Sequence, residues 1–218
     1  MADFAAARQH MLNSQIRTNK VTDPGLLSAL AEIPREHFLA RHLREIAYID
    51  EDLAIGGGRY LMEPMILARM MQALELDSGD LVLDVGCATG YSSTVLARLA
   101  TAVVALECDA SLARDATANF AEIGVDNVVV VEDELIHGHA EQAPYQAIFL
   151  NGAVAEMPEV LIGQLADGGR MCAVIDDGIG PGQVVRAVRR GATVAKQVLF
   201  DANVPSLPGF NHELGFVF

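Results

Sequence analysis

Five short apolar runs recur through the middle of the chain, at Leu81–Val85, Ala102–Leu106, Asn127–Val131, Ala147–Leu150 and Met171–Ile175. Runs this brief and this rich in Val, Leu, Ile and Ala read as strands buried on both faces. Helix-patterned segments such as Ser92–Leu99 and Pro158–Leu165 lie between them, which predicts βαβ units and a parallel sheet. Val184–Val188 fits either a further strand or a short helix, and the alternation of Ala192–Phe200 predicts a strand. Ahead of the runs, Asp3–Asn19 places Phe4, Ala7, Met11, Leu12 and Ile16 on one helical face, with Asp3 as cap. Asp23-Pro24 opens a second helix that Pro34 stops, Arg35–Glu45 predicts a third, irregular one, and another runs from about Met65 to Leu74. The expected fold is α/β: a doubly wound, mostly parallel sheet of about seven strands, with helices on both faces and an N-terminal helical cap. Residues 1–58 form the cap with its Gly-rich loop and 59–218 the ligand-binding α/β domain, within a single structural unit. Pro205 and Pro208 keep the tail extended, and Phe216 and Phe218 are expected to pack at a sheet edge or another subunit.

The first run leads into the segment most suited to holding a ligand, Asp84-Val85-Gly86-Cys87-Ala88-Thr89-Gly90, with a helical pattern resuming at Ser92. Two glycines four apart at a strand-to-helix turn let a ligand approach the backbone. The dinucleotide fingerprint is not spelled: Ala88 replaces its middle glycine, residues 91–95 contain none, and Asp84 would sit badly beside a pyrophosphate. An acid followed by G-x-A-x-G suits a cationic ligand without phosphates, which describes S-adenosylmethionine; a tight turn with no ligand is the alternative. Two further acids favour the ligand. The second run ends in Glu107 and the third in Glu132-Asp133, so Asp84, Glu107 and Asp133 emerge at one carboxyl edge, where open α/β sheets bind ligands. Glu107 can accept both ribose hydroxyls and Asp133 the adenine amino group, at about 1.5–3 kcal/mol per charge-assisted bond. The candidate cofactor-binding set is Asp84, Gly86, Cys87, Ala88, Gly90, Glu107, Cys108, Asp133 and Glu134.

Charge and composition narrow the class. A formal net charge of −14 argues against nucleic acid or an anionic membrane as partner. The start shows no secretory pattern, and no apolar run reaches the ~20 residues of a membrane span. Cys87, Cys108 and Cys172 are odd in number and sit in apolar contexts, so they read as reduced core thiols of a cytoplasmic protein. His137 and His139 lack a third ligand nearby and read as solvated loop residues, with no metal expected. Gly56-Gly57-Gly58 is either a spacer or an active-site loop.

The chain resembles the protein-L-isoaspartate (D-aspartate) O-methyltransferase family from about Arg8 to Gly178. Met11-Leu12-x-x-Gln15-Ile16, Val21-x-Asp23 and Leu30-Ala31-x-Ile33-Pro34-Arg35-Glu36-x-Phe38 carry the likeness at the start. Val82-Leu83-Asp84-Val85-Gly86-x-x-x-Gly90-Tyr91 carries it in the centre, and Ala143-Pro144-Tyr145 with Leu161-Ile162-x-Gln164-Leu165-x-x-Gly168-Gly169-Arg170 carries it later. The resemblance implies S-adenosylmethionine held by Asp84, Gly86, Glu107 and Asp133, and O-methylation of L-isoaspartyl (D-aspartyl) carboxylates in damaged proteins, with a protein or peptide as partner and a homodimer as the candidate assembly. Where the family carries a Gln-Thr-Ile-Ser-Gln-Pro acceptor loop, this chain has Arg59-Tyr60-Leu61-Met62-Glu63-Pro64. Arg59, Tyr60, Met62 and Asn151 are the candidate acceptor-side residues, with Arg59 expected to clamp the acceptor carboxylate. The altered loop keeps two alternatives open: a different methyl acceptor, or a non-catalytic cofactor-binding protein on the same scaffold.

Overall fold

The computed structural model describes residues 3–210, and Phe216 and Phe218 lie outside them. Helix α1 (Phe4–Met11) is capped by Asp3, whose carboxylate accepts from Ala6 N at 3.0 Å. The single long helix expected here does not continue in α form: a π-turn covers Leu12–Ile16 and a 3₁₀ turn Arg17–Asn19. Side chains divert the ladder, since Ser14 Oγ donates to His10 O at 2.7 Å and Thr18 Oγ1 to Ser14 O at 2.7 Å. Helix α2 (Pro24–Glu32) has Pro at its start and Asp23 as cap, and the expected third helix is two 3₁₀ turns, Arg35–Phe38 and Arg41–Ile46.

Strands β1 (Leu53–Gly56) and β2 (Arg59–Leu61) form an antiparallel hairpin. The triple glycine is therefore a turn: Gly56, Gly57 and Gly58 all have positive φ, at 103°, 59° and 71°. The boundary expected between residues 58 and 59 falls at the tip of this hairpin. Helix α3 (Pro64–Ala73) follows. Then come β3 (Leu81–Val85), α4 (Tyr91–Ala97), β4 (Ala102–Glu107), α5 (Ala110–Ile123), β5 (Val128–Glu132), β6 (Tyr145–Val154), α6 (Glu159–Gly163), β7 (Leu165–Ile175), β8 (Gln183–Arg190) and β9 (Thr193–Asp201).

The seven-stranded sheet has the order β5-β4-β3-β6-β7-β8-β9. Its first five members pair in parallel, and β8 and β9 close it as antiparallel hairpins. This resolves Val184–Val188 as strand. Alternation along the strands divides the core. Val82, Val103 and Phe149 face α3, α4 and the cap residues Met11, Leu30 and Phe38. Leu83, Val104 and Ile148 face the other way, toward Leu161 and Ile162 of α6. Order reverses between β3 and β6, and the carboxyl edge at that point carries the site. After β9 the chain returns across this edge in extended form, with Ala153 N donating to Pro205 O at 3.0 Å and Leu207 N to Ala153 O at 2.8 Å. That return places Leu207, fully buried, against Gly86 and Gly152.

Candidate cofactor and acceptor site

The turn after β3 is built on its neighbour strand. Gly86 N and Cys87 N both donate to Leu106 O, at 2.8 and 3.0 Å, and Gly90 N closes the turn on Cys87 O at 2.9 Å. Gly86 and Gly90 have φ of 80° and 94°, and a Cβ on Gly90 would meet Phe120 at 2.6 Å. Ala88 takes a left-handed φ of 53° without being glycine. Asp84 is fully buried, and its Oδ2 accepts from Ser92 Oγ and Ser93 Oγ, both at 2.6 Å. These serines escaped the sequence reading, although their places at the start of the helix after Asp84 were a usable signal. Burial pushes the Asp84 carboxyl up to about 6, against the pull of the two hydroxyls, and the nearby Glu107 adds to the rise.

Linkage fixes the consequence. The folded pKa of Asp84 lies above the unfolded value, so ionisation costs stability as pH rises through that window, and the whole cost is present above about 6. Asp84→Asn is therefore expected to stabilise the fold at pH 8 by about 1–3 kcal/mol, the gain vanishing below the normal carboxylate range. Urea unfolding at pH 4, 6 and 8 measures it, and a gain independent of pH would contradict the titration.

Glu107 is also fully buried and is richly served by donors. Its Oε1 accepts from Cys108 N at 2.9 Å and Asp109 N at 3.1 Å, and its Oε2 from Ala88 N at 2.8 Å. The remaining approach to Oε2 is taken by Arg59, with Nη2 at 3.3 Å and Nε at 3.4 Å. Arg59 Nη2 also donates to Gly86 O at 2.7 Å, and Arg59 is only 3% exposed. The structure thus turns the Arg59 guanidinium inward onto the second strand-end acid, because β2 presents it on its buried side. There it is paired with Glu107 and not free for an acceptor, although Arg59 also borders the acceptor-side gap. Asn151 stands beside it, with Nδ2 donating to Gly86 O at 3.0 Å and Ser92 Oγ at 3.2 Å.

Asp133 and Glu134 are exposed at the end of β5. Asp133 N donates to Glu107 O at 3.2 Å, and its carboxylate accepts from Glu134 N at 2.7 Å. Cys87 is buried, its thiol pushed well up by burial; Cys108 is exposed at the strand end, so the reading of all three cysteines as core thiols fails there. On the acceptor side a gap of about 10 Å³ is lined by Asp52, Arg59, Tyr60, Met62, Asn151 and Gly152, among others. That is room for about one water molecule. Asp52 accepts from Glu63 N at 2.8 Å, and burial together with Asp52, Asp50 and Glu51 pushes Glu63 up to about 7.

The donors and acceptors fit S-adenosylmethionine. Glu107 and Asp133 are strand-end carboxylates on adjacent strands, and two buried acceptors, Asp84 Oδ1 and Asn151 Oδ1, have no donor among the described residues. A cationic amino compound would supply one. The space above the turn is filled by the chain itself, since a Cβ on Gly86 would meet Arg59 Nη2 at 2.5 Å and Leu207 Cδ2 at 2.7 Å.

A Rossmann-like parallel sheet with acids at three successive strand ends and a G-x-x-x-G turn defines an S-adenosylmethionine-dependent methyltransferase. The sequence profile described as Protein-L-isoaspartate(D-aspartate) O-methyltransferase matches residues 6–205. The chain is 38% identical over 186 residues to protein-L-isoaspartate O-methyltransferase 1 of Rhodopseudomonas palustris, covering 85% of this chain and 76% of that one. It is 37% identical to the protein-L-isoaspartate O-methyltransferase of Koribacter versatilis, covering 88% and 86%. A solved protein-L-isoaspartate O-methyltransferase superposes with a TM-score of 0.82 at 26% identity, over 93% of this chain and 66% of that one. A Plasmodium falciparum structure described as a putative member, in complex with S-adenosyl-L-homocysteine, shares the fold at a TM-score of 0.77 and 19% identity, over 95% of this chain and 99% of that one. The chain belongs to the protein-L-isoaspartate (D-aspartate) O-methyltransferase family and is an S-adenosylmethionine-dependent methyltransferase.

Proposed function

We propose that Asp84, Gly86, Glu107 and Asp133 hold the cofactor, with Cys87, Ala88, Gly90, Cys108 and Glu134 around them, and that Tyr60, Met62 and Asn151 border the place where the isoaspartyl carboxylate is received. The observation carrying this is the convergence of Gly86 O, Glu107 and Asn151 on one point of the carboxyl edge, with the acceptor-side gap directly against it. Bound S-adenosylmethionine supplies an electrophilic methyl group on a sulfonium. The chain's own residues need hold no proton for the transfer, because an isoaspartyl carboxylate, of pKa about 4, is already ionised at pH 7. Their work is positioning and exclusion of water, and a well-placed pair of reactants can gain ~7–11 kcal/mol.

Tyr60 and Met62 give a bulkier and more apolar acceptor wall than the hydroxyl-bearing loop of the family pattern. Asp52 and Glu63 beside it, both pushed up by burial and Glu63 to about 7, repel an anion only as far as they are ionised. Those two features support a second reading, in which the same transfer goes to a different acceptor. The partner under the first reading is a polypeptide bearing isoaspartyl residues, with a homodimer as the candidate assembly and the cytoplasm as the compartment. Among the described residues no helix is long and apolar enough to cross a membrane. The deciding assay offers labelled S-adenosylmethionine with an isoaspartyl peptide and its normal aspartyl twin. Label on the isoaspartyl peptide alone is expected, and label on neither peptide would favour the second reading.

A further inference from the structure

We infer that Arg59 and Leu207 together are an intramolecular occupant of the cofactor cleft, and that Arg59 sets cofactor affinity by competing for Glu107 and the Gly86 carbonyl. The inference rests on the assignment of Glu107 and Gly86 to the cofactor. The guanidinium spans the two groups that a ribose and a cationic tail would use: it lies 3.3 Å from Glu107 Oε2 and 2.7 Å from Gly86 O. Leu207 supplies the apolar part, lying where a Cβ on Gly86 or Gly152 would meet it at 2.7 or 2.9 Å. Glycine at 86 leaves room for a ligand, and here two side chains of the same chain use that room.

Arg59, the polar part of the occupant, is able to leave when a ligand takes its place. Arg59 hangs from a two-stranded hairpin of four and three residues with a register shift, a size that is marginal by itself. Its three-glycine tip is exposed and rests on Asp109, whose Oδ2 would lie 2.7 Å from a Cβ on Gly57. A buried ion pair comes out near even against its solvated ions, so a ligand offering Glu107 equivalent hydrogen bonds can displace it. Withdrawal would also free the guanidinium for the acceptor carboxylate, so closure by Arg59 and loading of the site exclude each other.

Isothermal titration with S-adenosylhomocysteine tests this on the unmodified protein, Arg59→Ala and Leu207→Ala, each first checked for a cooperative melt. Arg59→Ala is expected to bind at least about tenfold tighter, the scale of one charge-assisted bond, and Leu207→Ala to bind tighter by a smaller factor. Millimolar guanidinium should then weaken binding to Arg59→Ala more than equal sodium chloride does, while leaving the unmodified protein little changed. Equal or weaker binding by a folded Arg59→Ala, with the unmodified protein still binding, would overturn the inference and leave the cofactor assignment standing. Should Arg59→Ala not fold, the outcome passes to Leu207→Ala, and no gain there overturns the inference. Absence of binding by all three proteins would overturn the cofactor assignment itself, and the inference with it.

Discussion

Glu107→Gln is expected to lower the melting temperature by roughly 6–20 °C, following a loss of about 3–5 kcal/mol at 2–4 °C per kcal/mol for a chain of this size. The carboxylate is fully buried and Arg59 is 3% exposed, so neutralising Glu107 either leaves a cation unpaired away from water or drives the β1–β2 hairpin off the sheet edge with the loss of its packing. The backbone worsens the case. Ala88 N, Cys108 N and Asp109 N all donate to this carboxylate, and an amide can present only one oxygen to donors that arrive on both sides. Arg59→Met in the Glu107→Gln background should recover a large part of the loss, because it removes the stranded charge. Thermal melts of the four proteins form a double-mutant cycle, with a coupling energy of about 1–3 kcal/mol expected for groups in contact. The same variant should fail to bind S-adenosylhomocysteine tightly, having lost the paired acceptors for the ribose. A single variant melting within about 2 °C of the unmodified protein would show that the pair does not hold the turn.

The five parallel strands were legible because each apolar run is short, and β9 because its residues alternate, which are local signals. By contrast, β8 stayed open between strand and short helix, and the β1–β2 hairpin read only as a glycine-rich loop. The acids Asp84, Glu107 and Asp133 were legible for the same reason, since a strand's end fixes which edge its last residue reaches. What the pattern could not carry is contact between distant segments. Arg59 meets Glu107 only because a hairpin folds back over the sheet edge, and Leu207 reaches Gly86 only because the tail returns along β6. Neither has a local signature, so Arg59 read as a free cation for an acceptor and Leu207 as part of an extended tail. Two misses were local. Ser14 and Thr18 bonding back to the preceding turn was available from the sequence, yet the apolar stripe of Asp3–Asn19 outweighed it. The helical pattern of Pro158–Leu165 read as running to Leu165, whereas α6 ends at Gly163 and β7 already begins at Leu165, carrying Gly168 and Gly169 in an irregular first stretch. Glycine in a strand marks such an irregularity as readily as a break.

Arg35→Ala is expected to cost about 3–5 kcal/mol and to lower turnover beyond what instability explains. Arg35 is fully buried between three parts of the molecule. Its Nε donates to Ala47 O and its Nη2 to Met62 O, both at 2.7 Å, and its guanidinium lies 5.0 Å from the centre of the Tyr91 ring. Ala47 closes the cap, Met62 belongs to the acceptor loop, and Tyr91 opens the helix after the cofactor turn. Truncation leaves two buried carbonyls without donors, at about 1–3 kcal/mol each, and opens a cavity under the ring. One effect opposes this: burial lowers the pKa of Arg35, and its Nη1 has no acceptor among the described residues, so removing the cation relieves some desolvation. Two lost carbonyl bonds, the lost stacking and the cavity outweigh that relief. Arg35→Lys should regain less than half of the loss, because one ammonium lacks the planar fork that reaches Ala47 O and Met62 O together. Urea unfolding of the three proteins gives the stabilities. Methyl transfer measured well below the melting temperature separates the functional part, where a higher KM for the isoaspartyl peptide is expected from the released acceptor loop. An Arg35→Ala protein within about 1 kcal/mol of the unmodified one would mean that Met62 is held by packing alone.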